Sequence, residues 1–318
     1  MPERVDSTCP DEFYLSEVSP KDKPWDKHRA DSDKVSGLYD GGIHQRYADR
    51  INACSERLEF NHAVNPDSGE SKLKLHMAYF CRVRFCPVCQ WRKQLMWRAR
   101  FFQALPSIIS DYPDAQFIFL TLTVRNCEVD QLRSHLDWMN KSWQRLIQRR
   151  CFPALGCIRT TEVTRSALGR AHPHFHAILM VNPDYFRYGY ISQANWRLLW
   201  KDCLRVDYNP VVRIEAIKGK LGEVDSLDDE FLGGVCEVLK YSVKPQDLVV
   251  DKEWLEVVTT QLRKSRAVSV TGVFKQYISE KEPEDLIGEE QEPSEESSGT
   301  SVYFKWKQKV QKYCKLPN

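Results

Sequence analysis

Long apolar runs are missing from this chain of 318 residues. None approaches the roughly 20 residues that a bilayer span requires, which sets membrane-crossing functions aside. A secretory leader is missing too, because residues 1–40 are polar and carry more acid than base. The chain is therefore expected in the cytoplasm, its 11 cysteines reduced or bound to metal rather than paired as disulfides. There is no internal repeat and no Walker-type phosphate loop. Acid is lacking altogether between Ser71 and Ser110, a stretch with eight Lys or Arg. The overall charge of +2 hides this partition, since residues 278–299 hold nine Asp and Glu against one Lys. An anionic partner follows from the basic remainder. A hydrophobic content of 42% over this length supports one large domain or two smaller ones with a real core.

Within the acid-free region lies Cys81-Arg82-Val83-Arg84-Phe85-Cys86-Pro87-Val88-Cys89. The Cys86-x-x-Cys89 spacing lets two thiolates bind one tetrahedral ion, and Cys81 and Cys54 complete a four-thiolate zinc shell, with His62 and His76 as spare candidates. A redox pair of the thioredoxin kind would open a helix within a βαβ unit. Here the knuckle instead precedes a basic helix, predicted over residues 90–105. The zinc would fix a module presenting Arg82, Arg84, Arg92, Lys93, Arg98 and Arg100 to phosphate.

A second constellation is Ala171-His172-Pro173-His174-Phe175-His176, running into Ala177-Ile178-Leu179-Met180-Val181. Its alternation reads as a strand, so His174 and His176 share one face and Phe175 points into the opposite layer. Two imidazoles on a rigid element are half of a divalent-metal site, and a neighbour must supply the rest. Residues 157–164 also read as a strand, and the polar connection 165–171 folds the two into a hairpin, which brings Glu162 beside the imidazoles. His172 is the competing third ligand, although Pro173 marks the strand's beginning. An isolated His-x-His pair is otherwise an ordinary strand end.

Residues 116–124 form a buried strand, and 128–150 an amphipathic helix with Leu132, Leu136, Met139, Trp143, Leu146 and Ile147 on one stripe. A helix over 192–205 starts at Ser192 and faces inward through Trp196, Leu199 and Trp200. A fourth strand spans 210–217, and a helix spans 228–243. The order is that of an α+β sheet domain. The last helix stacks Glu237 and Tyr241 at i and i+4, with Lys244 near that face and Pro245 ending it. A further helix is expected over 253–263 and a short strand or turn over 268–277. A phenol beside a metal centre is a candidate nucleophile towards phosphorus. Attack would leave a 5′-phosphotyrosine and a free 3′-hydroxyl.

Phe119-Leu-Thr-Leu-Thr123, His172-Pro-His-Phe-His176 and Glu237-x-x-Lys240-Tyr241-x-x-Lys244, taken in this order with the cysteine knuckle, resemble the rolling-circle replication initiators of small bacterial plasmids, within the HUH endonuclease superfamily. The resemblance covers roughly residues 54–277. It implies the HUH endonuclease fold, with a five-stranded antiparallel sheet and the His-x-His on a central strand. It also implies Mg2+ or Mn2+ at the nicking site, covalent attachment through Tyr241 to plasmid origin DNA nicked in single-stranded form, and water activation by Glu237 at termination. Lys244 would offset charge at the phosphate, and Lys240 would join the DNA contacts. Without a Walker loop, unwinding falls to a host helicase, and extension to a host polymerase. Transposases and relaxases of the same superfamily, a metal-dependent hydrolase using water and a zinc-containing DNA-binding regulator are the competing readings. The expected organisation is a disordered extension over 1–40, a zinc-binding basic module over 41–105, the endonuclease domain over 106–277, an acidic linker over 278–300 and a Lys-rich tail over 301–318.

Overall fold

The computed structural model describes residues 13–64, 71–216, 229–239, 243–281, 286–287 and 297–317. The chain divides into two units, residues 1–92 with 285–318 and residues 93–284. The first opens with helices α1 (Leu15–Val18) and α2 (Pro24–Tyr39), where the sequence suggested a solvated extension, followed by α3 (Gln45–Ala53). The buried stripe of α2 has helical spacing, but it mixes Trp25, Val35 and Tyr39 with His28, Arg29, Ser32 and Ser36. Its polar members are bonded inside: Ser36 Oγ donates to Ala48 O at 3.0 Å, and Arg29 pairs with Asp33 at 3.0 Å while donating to Ile51 O. Strands β1 (Arg57–Val64) and β2 (Ser71–Ala78) pair antiparallel.

Helix α4 (Pro87–Asp111) is longer than expected, because it continues past Pro106. Proline at that position marks a local loss of one backbone bond rather than the end of the helix. The second unit then builds β3 (Gln116–Thr123), α5 (Leu132–Ile147), β4 (Ala154–Arg165), β5 (Ala171–Val181), α6 (Gln193–Leu204), β6 (Val212–Ala216), α7 (Asp229–Val238), α8 (Pro245–Leu248), α9 (Lys252–Gln261) and β7 (Val268–Gly272). Among the described residues, its strands form a five-stranded sheet in the order β6-β3-β5-β4-β7. All its pairings are antiparallel. The His-x-His strand, β5, lies in the centre.

Strand alternation gives this sheet two working faces. One carries Phe175, packed between Trp143 of α5 and Trp200 of α6 at ring distances of 6.2 and 6.4 Å. The other is apolar at one end, where Phe117, Ile158, Ile178, Met180 and Val270 pack with Phe101 and Leu105 of α4 and Phe231 and Val235 of α7. Each such side chain contributes about 1.5–3 kcal/mol on burial. The far end of that same face is polar and carries the histidines. Gly272, at φ 63°, ends β7 where a Cβ would lie 2.1 Å from the Leu155 carbonyl oxygen.

The chain then returns to the first unit. Strands β8 (Ser297–Lys307) and β9 (Lys312–Lys315) complete a four-stranded antiparallel sheet in the order β2-β1-β8-β9. The Lys-rich segment is thus not an appended tail: Val302, Phe304 and Trp306 alternate into the core, and Tyr313 donates from its hydroxyl to Ser55 O at 2.7 Å. Residues 297–300, assigned from sequence to the acidic linker, already belong to β8; much of the rest of that segment lies outside the described residues.

Candidate active site and metal centres

On β4 and β5, Glu162 sits directly opposite His174, and Thr160 opposite His176. Cross-strand partners share a face, so the carboxylate and both imidazoles converge. Nε2 of His174 and Nε2 of His176 each lie 2.9 Å from the same atom, Glu162 Oε2. Their remaining ring nitrogens are tied down. His174 Nδ1 donates to the His172 carbonyl at 3.1 Å, and His176 Nδ1 bonds the Thr121 hydroxyl at 3.1 Å. Such ties fix which nitrogen faces the centre. Burial would raise the Glu162 pKa, but the hydrogen bonds and charge of the two imidazoles outweigh it and hold the carboxyl well below its ordinary range.

The three ligand atoms lie within 4.8 Å of one another. A separation of 2.9 Å between donor atoms fits the edge of an octahedron with bonds of about 2.1 Å, which is roughly 3.0 Å. A mixed nitrogen and oxygen set with open positions suits a divalent ion such as Mn2+ or Mg2+. His172 stands outside this group, its ring 5.3 Å from that of His174; its contribution is the backbone carbonyl. Sequence reasoning missed Thr121 and Thr160 as supporting residues. The signal was present in the strand register, because both stand level with His176.

Helix α7 approaches this end of the sheet closely. At Gly234 a Cβ would fall 1.9 Å from the Phe119 ring, so only glycine permits the contact. Thr160 Oγ1 then donates 2.6 Å to the Val238 carbonyl, which fastens the end of α7 onto β4 one pleat from Glu162. The helix is described as far as Val238, with Leu239 N bonding Val235 O, and residues 240–242 of the helix expected to reach Val243 lie outside the described residues. Glu237 is exposed in the last turn, and Lys244 is exposed before α8. Tyr241 and Lys240 lie outside the described residues, so the expected i, i+4 stacking of Glu237 on Tyr241 does too.

In the first unit Cys54, Cys81, Cys86 and Cys89 are all buried and form one group. Cys54 Sγ is 3.6 Å from both Cys86 and Cys89, and Cys81 Sγ is 3.7 Å from Cys89. Disulfide sulfurs would be about 2.05 Å apart. A tetrahedral zinc with bonds of about 2.3 Å places its sulfurs about 3.8 Å apart, so these residues fit that ion. Backbone amides support them: Arg82, in the left-handed region at φ 55°, aims its N–H at Cys89 Sγ from 3.3 Å. Neither spare histidine joins the group. His62 pairs with Leu73 inside the sheet, and His76 is exposed on β2.

Two of the expected phosphate contacts are engaged elsewhere. Arg92 donates from Nε to Leu286 O at 2.8 Å and from Nη2 to Ile287 O, and Arg100 Nη1 donates to Ser279 O and Lys281 O at 2.8 and 2.9 Å. Their order in sequence could not reveal that the carbonyls of Ser279, Lys281, Leu286 and Ile287 would meet them. Arg82, Arg84, Lys93 and Arg98 are half-buried.

No solved structure gives a significant match to this chain. Sequence relatives are plentiful among bacteria. A "Protein rep" of Bacillus amyloliquefaciens is 31% identical over 84% of this chain and 84% of its own length. Another "Protein rep", from Lactiplantibacillus plantarum, is 30% identical over 92% and 95%, and one from Streptococcus pneumoniae serotype 2 is 29% identical over 92% of each. The Replication protein family Rep_1 matches residues 72–314, which takes in both metal-ligand groups apart from Cys54. With a match of that extent and relatives spanning several genera, the chain belongs to the Rep_1 family of replication proteins.

Proposed function

We propose that this replication protein initiates rolling-circle copying of a plasmid by nicking one strand of its origin, with Tyr241 as nucleophile. The observation that carries the reading is the convergence of His174 Nε2 and His176 Nε2 on Glu162 Oε2, at 2.9 Å each, on the central strands of an antiparallel sheet. Mg2+ or Mn2+ held there would polarise a phosphoryl oxygen and stabilise charge developing at phosphorus. The residues of the chain do the rest. Thr121 and the His172 carbonyl orient the imidazoles, while Thr160 fastens the Val238 carbonyl beside the cluster. Tyr241 follows three residues later, within a chain reach of about 11 Å.

In this reading the Tyr241 oxygen bonds to phosphorus, the bond to the 3′-oxygen breaks, and the phenolic proton passes to that leaving oxygen through solvent. The products are a 5′-phosphotyrosine and a 3′-hydroxyl primer. At termination Glu237 acts as general base on water, releasing the protein rather than transferring it again. Lys244 and Lys240 bind the phosphate. The cysteine group holds structural Zn2+, a host helicase and polymerase act on the nicked plasmid, and the setting is the cytoplasm. Among the described residues no helix is long and apolar enough to cross a membrane, which accords with a DNA partner.

Incubation with a single-stranded origin oligonucleotide and Mn2+, followed by mass spectrometry, tests this directly. A DNA adduct on Tyr241 is expected, and Tyr241→Phe should abolish it. Cleavage by Tyr241→Phe at the wild-type rate, or an adduct on another residue, would overturn the assignment.

A further inference from the structure

Strand β2 (Ser71–Ala78), which opens the first acid-free basic stretch, and the second such stretch, beginning at Ser301, are more than 200 residues apart in sequence yet meet in the same four-stranded sheet. Register places Lys72 and Lys74 of β2, Arg57 of β1, and Lys305, Lys307 and Lys312 of β8 and β9 on one face. Five of the six are exposed, and Lys312 is half-buried. The opposite face carries Leu58, Phe60, Phe304 and Trp306 into the core. Among the described residues, carboxylates also meet this face. Glu59 accepts from Ser301 Oγ at 3.0 Å, Glu56 lies 3.4 Å from Lys305 Nζ, and Glu17 lies 3.5 Å from Lys312 Nζ.

We propose that this sheet face binds the phosphate backbone of duplex DNA, without reading its sequence. Charge complementarity points to a polyanion, and the aromatic groups decide which one. Single-strand binders stack bases on open rings. Here the Arg57 guanidinium already covers the Tyr303 ring at 4.4 Å, and Lys312 Nζ covers the Tyr14 ring at 4.3 Å. Arg57 faces Lys305, and Lys307 faces Lys312, about 4.8 Å apart across the strands, while Lys72 and Lys74 form a second cluster level with Ala63 and Asn61, about 13 Å along β1 from Arg57; two such clusters on one face suit ionic contact with a stiff duplex. The inference goes beyond the nicking reading and does not depend on it.

The test uses the full zinc-loaded chain carrying Tyr241→Phe, without added Mg2+ or Mn2+, so that cleavage does not enter. Anisotropy titrations measure binding to a short duplex of arbitrary sequence between about 50 and 200 mM salt. Replacing the pair Lys72 and Lys74 by Gln, or the pair Lys305 and Lys307, should each weaken binding on the order of tenfold and flatten the log–log salt slope by about 1.8. The two effects should add in the quadruple variant. Arginine at the same four positions should keep the wild-type slope, as should Lys275→Gln on the second unit. The proposal is overturned if either Gln pair leaves the slope unchanged, if single strands of equal length bind more tightly and alone respond, or if a polyglutamate chain displaces the duplex at equal charge. Failure of the adduct experiment would leave these slopes untouched, so the two proposals fail separately.

Discussion

Glu162 is the residue on which the candidate centre turns, because one of its oxygens faces two imidazole nitrogens at once. With His174 Nδ1 committed as donor to a carbonyl, Nε2 is the nitrogen left to face an ion, and imidazoles and carboxylates bind a metal only in their deprotonated forms. Cation binding should therefore release a proton. Calorimetry in buffers of different ionisation enthalpy is expected to show this, with Mn2+ affinity rising with pH. Since the Glu162 pKa is depressed on folding, its contribution to stability is present above the ordinary value of 4.5 and is lost as pH falls through the depressed one. Glu162→Gln should remove that acid limb from the urea midpoint and abolish Mn2+ binding. Thr121→Val should lower Mn2+ affinity by about 10- to 100-fold by freeing the His176 ring, with the fold unchanged by circular dichroism. The grouping of His174, His176 and Glu162 was expected from period two on a strand and a short hairpin, with His172 left as the competing third member. The orienting groups were not, because Thr121 and Thr160 become neighbours of His176 only when strands distant in sequence take their register.

At the scale of elements, the decisive contact is α7 on β3. Gly234→Ala would force a methyl group into the Phe119 ring and is expected to destabilise the protein by about 1–3 kcal/mol in urea unfolding. Adding Phe119→Leu should recover part of that loss, which distinguishes crowding from a change in helix propensity. Elements with strong patterns were readable in sequence, such as the Leu132-Leu136-Met139-Trp143 stripe of α5 and the apolar run of β3. Helix α2 was not, since its buried side includes Ser36 and Arg29, which donate to carbonyls of α3, and Ser32, which donates to His28 O of its own helix and accepts from Val88 N. Pro106 misled in the opposite direction, because the packing of Leu105 and Ile108 carries α4 through it.

At the scale of the whole molecule, the first unit is discontinuous, and its cysteine group depends on segments from both ends of the described chain. Ser32 of α2 bonds Val88 N and touches Cys86 Sγ at 3.6 Å, while Tyr313 of β9 holds Ser55, next to Cys54. Deleting residues 297–318 should therefore lower bound zinc from one ion per chain to well below that, as measured by elemental analysis. A chain that kept full zinc after this deletion would show that the cysteine group folds without β8 and β9. The sequence hinted at the module through its Cys-x-x-Cys knuckle but gave no sign of its last strands, because Tyr303 between Val302 and Phe304 interrupts the apolar–polar alternation of 301–307.

The pairing of β1 with β8 has a consequence during synthesis. Arg57 waits for Lys305, about 250 residues later, and at 5–20 residues per second the ribosome takes roughly 12–50 s to supply it. The nascent chain can close its histidine-bearing sheet while the cysteines upstream still lack β8 and β9, so the cysteine group is the last to receive its complete surroundings.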